Sequence, residues 1–136
     1  MLEMELNKES SGGLTLREYQ RRAMGTCLRE SENFAYMFMN LVGELGEFAS
    51  KIAKQIRKGR FELGQNEVLP VEGAIGWDDW KAIDDELELE AGDLLWQLSG
   101  LCSVMDWDLE GVAMKNLEKL ASRKRRGKID GEGDMR

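Results

Sequence analysis

Two short segments hold residues whose types and spacing could do chemistry together: Glu44 and Glu47 in "ELGE", and Glu90 and Asp93 in "EAGD". Carboxylates three residues apart lie about one turn apart on a helix and share a face. Their neighbours match as well. Leu41, Gly46 and Phe48 around the first pair correspond to Leu87, Gly92 and Leu94 around the second, so both segments follow L-x-x-E-x-G-[ED]-[FL]. Two such helices packed side by side would aim four carboxylates into one half-buried space. Left alone, like charges in a low dielectric raise one another's pKa values and oppose folding. A hard cation reverses the sign, and Mg²⁺ commonly takes carboxylates together with waters and substrate phosphates. Glu44, Glu47, Glu90 and Asp93 are therefore expected to form a magnesium site, with Mn²⁺ as a substitute ion. Either pair alone would be satisfied as a solvated helix face; the match between the two favours a metal.

The chain contains no histidine. That removes the commonest general base, the triads that need imidazole, and most zinc or non-haem iron sites. Catalysis must then run on carboxylates, lysines, arginines and a hard metal. Cys27 and Cys102 are lone thiols with neither the number nor the spacing of a zinc site or disulfide framework, which points to a reducing, cytoplasmic compartment. The formal charge of −7 hides an asymmetry: "KLASRKRRGK" at 119–128 holds six basic side chains and no acidic one, leaving 13 basic against 26 acidic elsewhere. So negative a field argues against nucleic acid as a partner of the body. No apolar run approaches the length of a membrane span, and the acidic start "MLEMELNKES" lacks the layout of a signal peptide.

The elements that must position these groups are helical. The sequence has one proline, long runs without turn signals and no stretch that alternates as a half-buried strand would. At 136 residues, 42% of them apolar, it can bury the core of one domain. Residues 1–13 read as a disordered segment, 14–126 as a single helical domain, and 127–136 as a glycine-rich charged tail. Thr15 and Glu18 make a capping box for a first helix over about 16–29. Ser31 is placed to cap a second, 32–58, that stops at Gly59. The glycine-rich stretch 60–76 lacks a period, and a connection of that length is often functional. A third helix is expected over 79–105, and Asp108 caps a fourth over 109–126. The fold class is all-α, a four-helix bundle-like core.

On the second helix Leu41, Leu45, Phe48 and Ile52 form the apolar stripe, with Glu44 on its shoulder and Glu47 one step further out. Leu87, Ala91, Leu94 and Leu98 form the equivalent stripe on the third helix. Gly46 and Gly92 lie away from these stripes, where a small residue suits a second packing surface such as a subunit interface. Positive charge near the acidic pairs suggests a phosphate ligand. Lys51 and Lys54 continue the Glu44–Glu47 line, and Lys119, Arg123 and Arg126 recur at helical spacing on the fourth helix. Asn40 extends the Glu44–Glu47 line in the other direction. Asn116 interrupts an otherwise apolar face of Leu109, Ala113 and Leu120, where a polar amide wants a partner.

These residues resemble the MazG-like, all-α nucleoside triphosphate pyrophosphohydrolases. The family pattern is E-x-x-E on one helix and E-x-x-D on the next, seen here as "ELGE" and "EAGD" within "NLVGELGEFASKIAK" and "ELELEAGDLLWQLS". The closing "NLEKLASRKRRGKIDGEGDMR" is similar to a bacterial and phage branch, and the resemblance spans roughly residues 14–136. Gly43 stands where many members have a second glutamate, which touches none of the four ligands. The resemblance implies the reaction NTP or dNTP plus water to NMP or dNMP plus pyrophosphate, in the service of nucleotide-pool housecleaning. It implies that the four carboxylates hold Mg²⁺, that water attacks at the α-phosphoryl, and that a carboxylate such as Glu47 takes the proton. Lys51, Lys54, Lys119, Arg123 and Arg126 would hold the leaving phosphates, and Asn40, Asn116 and Trp80 are the candidates to contact the base. Members usually assemble as dimers or tetramers with the site near a subunit junction, so a homo-oligomer is expected. The stretch 60–76 and the tail are candidates to close over the nucleotide. The competing class is a non-catalytic helical interaction module whose acidic face binds a basic partner.

Overall fold

The computed structural model describes residues 12–127 apart from Asn66. The segment before residue 12 and the tail after 127 lie outside the described residues, and with them most of the expected N-terminal segment and the tail lid. Among the described residues four α-helices carry the fold: α1 (Leu16–Met24), α2 (Phe34–Arg57), α3 (Trp77–Val104) and α4 (Leu109–Arg125). The class is all-α, as the periodicity predicts.

The first helix begins as expected, with Thr15 Oγ1 accepting from the Glu18 backbone N–H at 3.1 Å. The Glu18 side chain does not complete a capping box. It takes hydrogen bonds from Arg21 and Arg22 instead, and these hold its carboxyl down at about 2. The helix also ends at Met24 and not near residue 29. Tertiary contacts stop it: the Trp96 indole N–H reaches both the Ala23 carbonyl at 3.1 Å and Thr26 Oγ1 at 3.0 Å, and the Thr26 hydroxyl donates to the same carbonyl. Orphan carbonyls at a helix end need such partners. Replacing Trp96 by Phe should lower stability by about 1 kcal/mol, the usual net worth of a hydrogen bond, read as a fall of a few degrees in Tm.

A short 3₁₀ turn over Arg29–Ser31 follows. Asn33, not Ser31, caps α2, with its side-chain oxygen accepting from the Tyr36 N–H at 2.9 Å; Ser31 is buried within the turn. The α2 helix runs to Arg57 and is stopped by Gly59, whose φ of +66° is the left-handed C-terminal conformation. What reads as an aperiodic stretch then folds into an antiparallel hairpin, β1 (Phe61–Leu63) and β2 (Val68–Pro70), in register Phe61 with Pro70. Strands of three residues are too short to show alternation, so the pattern could not reveal them. Phe61 is buried with its ring 5.0 Å from that of Trp80, which ties the hairpin to the start of α3.

The two long helices, α2 and α3, run antiparallel along one seam. Its register is visible at three levels: Met37 against Gly100, Glu44 against Glu90 and Asp93, and Lys51 against Glu86 and Glu90. A Cβ on Gly100 would collide with the Met37 thioether, so glycine there allows the close approach. The far corner is set by α1. The Gln20 amide donates to Ser103 Oγ and the Trp107 carbonyl, while its oxygen accepts from the Leu109 N–H. One side chain thus joins the end of α3 to the first turn of α4, which Asp108 caps as expected. Arg17 grips the same Asp108 through two nitrogens, at 2.8 and 3.2 Å.

Candidate metal centre

Glu44 from α2 and Glu90 and Asp93 from α3 each bring a carboxylate oxygen within 4.8 Å of the other two. The helix spacing explains this, since Glu90 and Asp93 are a turn apart on the face of α3 that meets α2. Glu47 lies outside this triangle and is exposed. The wheel places Glu44 on a shoulder and Leu45 in the buried stripe, whereas Leu45 is 57% exposed and Glu44 half-buried at the seam. The helix is thus rotated so that its carboxylate, with Met37 and Lys51, faces α3.

The electrostatics follow from that placement. Burial pushes the Glu44 carboxyl above its ordinary value, and the charges of Glu47, Asp93 and Glu90 add to the effect. Folded, Glu44 therefore holds a proton more readily than in the unfolded chain. The metal-free protein loses stability as pH rises from the ordinary carboxylate range through the raised value. Lys51 opposes this repulsion: its Nζ lies 2.8 Å from Glu90 Oε1 and 3.7 Å from Glu86 Oε2. The other oxygen of Glu90, Oε2, is buried and has no hydrogen-bond partner. A buried carboxylate oxygen without a donor is costly unless a cation meets it. Three carboxylates, one of them with an orphaned oxygen, fit a divalent ion of the Mg²⁺ type.

The remaining candidates divide. Asn40 is half-buried on α2 one turn before Glu44. Lys54 is exposed and lines an open hollow with Ser50, Ala53 and Arg57. Lys119 and Arg126 are exposed and Arg123 half-buried at the far end of α4, with Asn116 exposed on the same helix. Leu120, expected on a buried face with Asn116, is itself 42% exposed. Trp80 stands ten residues before Glu90 and is held against Phe61, so the structure does not bring it to the triangle.

Two neighbours escape the sequence reading. Gln97 lies on the same face of α3 as Glu90, Asp93 and Gly100; it is 6% exposed and its Oε1 has no partner. Its spacing from Asp93 is a legible signal, obscured because glutamine carries no charge. Tyr19 on α1 is the other. Burial raises its phenol, and the charge of Asp93 adds to the shift. Beyond Gln97 the seam opens at Met37 and Gly100 into a cavity of ≈ 300 Å³, lined also by Met24, Asn33, Phe34 and Ser103. Burial raises both cysteine thiols, so neither Cys27 nor Cys102 is an activated nucleophile.

The family model for the MazG nucleotide pyrophosphohydrolase domain matches residues 32–127, which contain α2, the hairpin, α3, α4 and the whole acidic triangle. The chain belongs to the MazG family. Members of this MazG family act on nucleotides, and the acidic triangle is a candidate for the divalent metal they generally use. A relative, the Gene 37 protein of Mycobacterium phage L5, is 37% identical over 105 residues, covering 77% of this MazG-family chain and 78% of that protein. No solved structure matches the chain. No helix among the described residues is long and apolar enough to cross a membrane.

Proposed function

We propose that the protein is a Mg²⁺-dependent nucleoside triphosphate pyrophosphohydrolase, converting an NTP or dNTP and water to the monophosphate and pyrophosphate in nucleotide-pool housecleaning. The observation that carries this reading is the triangle itself: three carboxylates from two helices within 4.8 Å, one of them with an oxygen that is buried and unpartnered. Glu44, Glu90 and Asp93 would hold the ion. When bound, a hard divalent cation neutralises phosphate oxygens and makes water more acidic. Glu47, exposed beside the triangle, is the carboxylate left over and would accept the proton of the attacking water. The nucleoside end would occupy the cavity at Met37 and Gly100, seven residues and so about 10 Å along the seam from Glu44. Asn40 lies between the two and would contact the sugar or base.

Homo-oligomer formation belongs to the same proposal. Phe34 and Phe38 stack at 5.6 Å with both rings exposed, and Val42 and Leu45 follow along α2. On α4, Met114, Leu117 and Leu120 are likewise uncovered. Apolar patches on this scale usually mark interaction surfaces. Among the described residues nothing lies within 4 Å of a Cβ built on Gly46 or Gly92, which leaves room for the close approach of a second copy. A second copy would also let Asn116, Lys119, Arg123 and Arg126 reach a nucleotide held on its neighbour. We assign the protein to the cytoplasm, where its two free thiols stay reduced.

The test is product analysis across canonical, deoxy and modified triphosphates with and without Mg²⁺. Monophosphate and pyrophosphate are expected; diphosphate and orthophosphate, or no turnover, would refute the assignment. Thermal melts separate the enzyme from a non-catalytic module with an acidic face. Mg²⁺ at a hundredfold excess over its Kd should stabilise the fold by about 2.7 kcal/mol, and Glu44→Gln should abolish that gain. An interaction module would instead be stabilised by Glu44→Gln with or without the ion.

A further inference from the structure

We infer that Lys51 sets which divalent ion the acidic triangle accepts, by withholding one oxygen of Glu90. This rests on the cation-site reading above and deepens it. The Lys51 ammonium lies 2.8 Å from Glu90 Oε1 and 3.7 Å from Glu86 Oε2. The Glu90 side chain is only 12% exposed, so its carboxylate stays at the seam beside that ammonium. With Oε1 engaged, Oε2 is the oxygen left for an ion, and it is the one that is buried without a partner. Lys51 is thus a positioning residue that makes Glu90 a one-oxygen ligand.

The chemical consequence is selectivity by ligand number. Ca²⁺ takes six to eight oxygens at longer distances and gains them by binding carboxylates through both oxygens. Mg²⁺ requires near-ideal octahedral geometry with short bonds and is served by single carboxylate oxygens and retained waters. A lysine fixed on one oxygen of a largely buried ligand therefore disfavours the larger ion. It also supplies positive charge to the cluster before any ion arrives, which limits the repulsion among Glu44, Glu90 and Asp93. Arginine at the same position would keep both effects, whereas an uncharged side chain would release Oε1.

The test measures Mg²⁺ and Ca²⁺ affinities calorimetrically, and the melting shift each ion gives, for wild type, Lys51→Met, Lys51→Gln and Lys51→Arg. The ratio of the two dissociation constants cancels the general gain in cation affinity expected from removing a positive charge. In Lys51→Met the preference for Mg²⁺ over Ca²⁺ should fall by about tenfold, the scale of effects from groups that orient metal ligands, while Lys51→Arg keeps the wild-type ratio. Lys51→Gln gives the same reading should the methionine variant fail to fold. An unchanged ratio in the uncharged variants overturns the role of Lys51 and leaves the cation site standing. Wild-type protein that takes up neither ion overturns the cation site, and this inference with it.

Discussion

Glu90→Gln should lower pyrophosphate release by about a thousandfold while leaving the fold intact. The substitution keeps the size of the side chain but replaces one carboxylate oxygen by an amide nitrogen that can only donate. The glutamine oxygen can still accept from Lys51, whose ammonium lies 2.8 Å from Oε1 in the native protein. The amide nitrogen then falls where Oε2 is now buried without a partner, and a donor there cannot meet a cation. Metal assistance to phosphoryl chemistry is worth several kcal/mol, and each 1.36 kcal/mol is a factor of ten in rate. Steady-state kinetics and melts with and without Mg²⁺ check the result together: the melting rise with the ion should vanish alongside the activity. Near-native turnover in this variant would mean that the reaction does not use the triangle.

Gly100→Val should be the most damaging single change in the seam. Glycine lets α2 and α3 approach at the level of Met37, whose side chain is almost wholly buried against it. Alanine is tolerable, because the end of Met37 can turn into the adjoining cavity that both residues line. A branched valine fills that space as well and forces the helices apart. Overpacking of this kind costs about 1–3 kcal/mol, which for a domain of this size is a fall of roughly ten degrees in Tm at the upper end. Because the triangle lies along the same seam, weaker Mg²⁺ binding should accompany the lost stability in calorimetry. Gly100→Ala should show neither effect at comparable size.

Much of the acidic triangle was legible in the sequence. Glu44, Glu90 and Asp93 stand out because their type and three-residue spacing signal one helix face, and the two segments echo one another. Thr15, Asp108 and Gly59 announce helix ends through side-chain or backbone chemistry confined to a turn. Other features had no local signature. The end of α1 depends on Trp96, which lies far along the chain and caps Ala23 and Thr26 from α3. Gln20 is an unremarkable polar residue until the fold places it against Ser103, Trp107 and Leu109.

The sequence by itself determined the helical class, most of the caps and stops, and the three carboxylates of the candidate metal site, because periodicity and capping act over a few residues. The tertiary structure decided which way each helix turns. It moved Leu45 outward and Glu44 inward, and left Glu47 outside the triangle. It also brought Lys51 onto Glu90 and buried the amide of Gln97. Those outcomes depend on how closely two helices approach, and the collision a side chain at Gly100 would make with Met37 exists only once residues from distant parts of the chain share the same space.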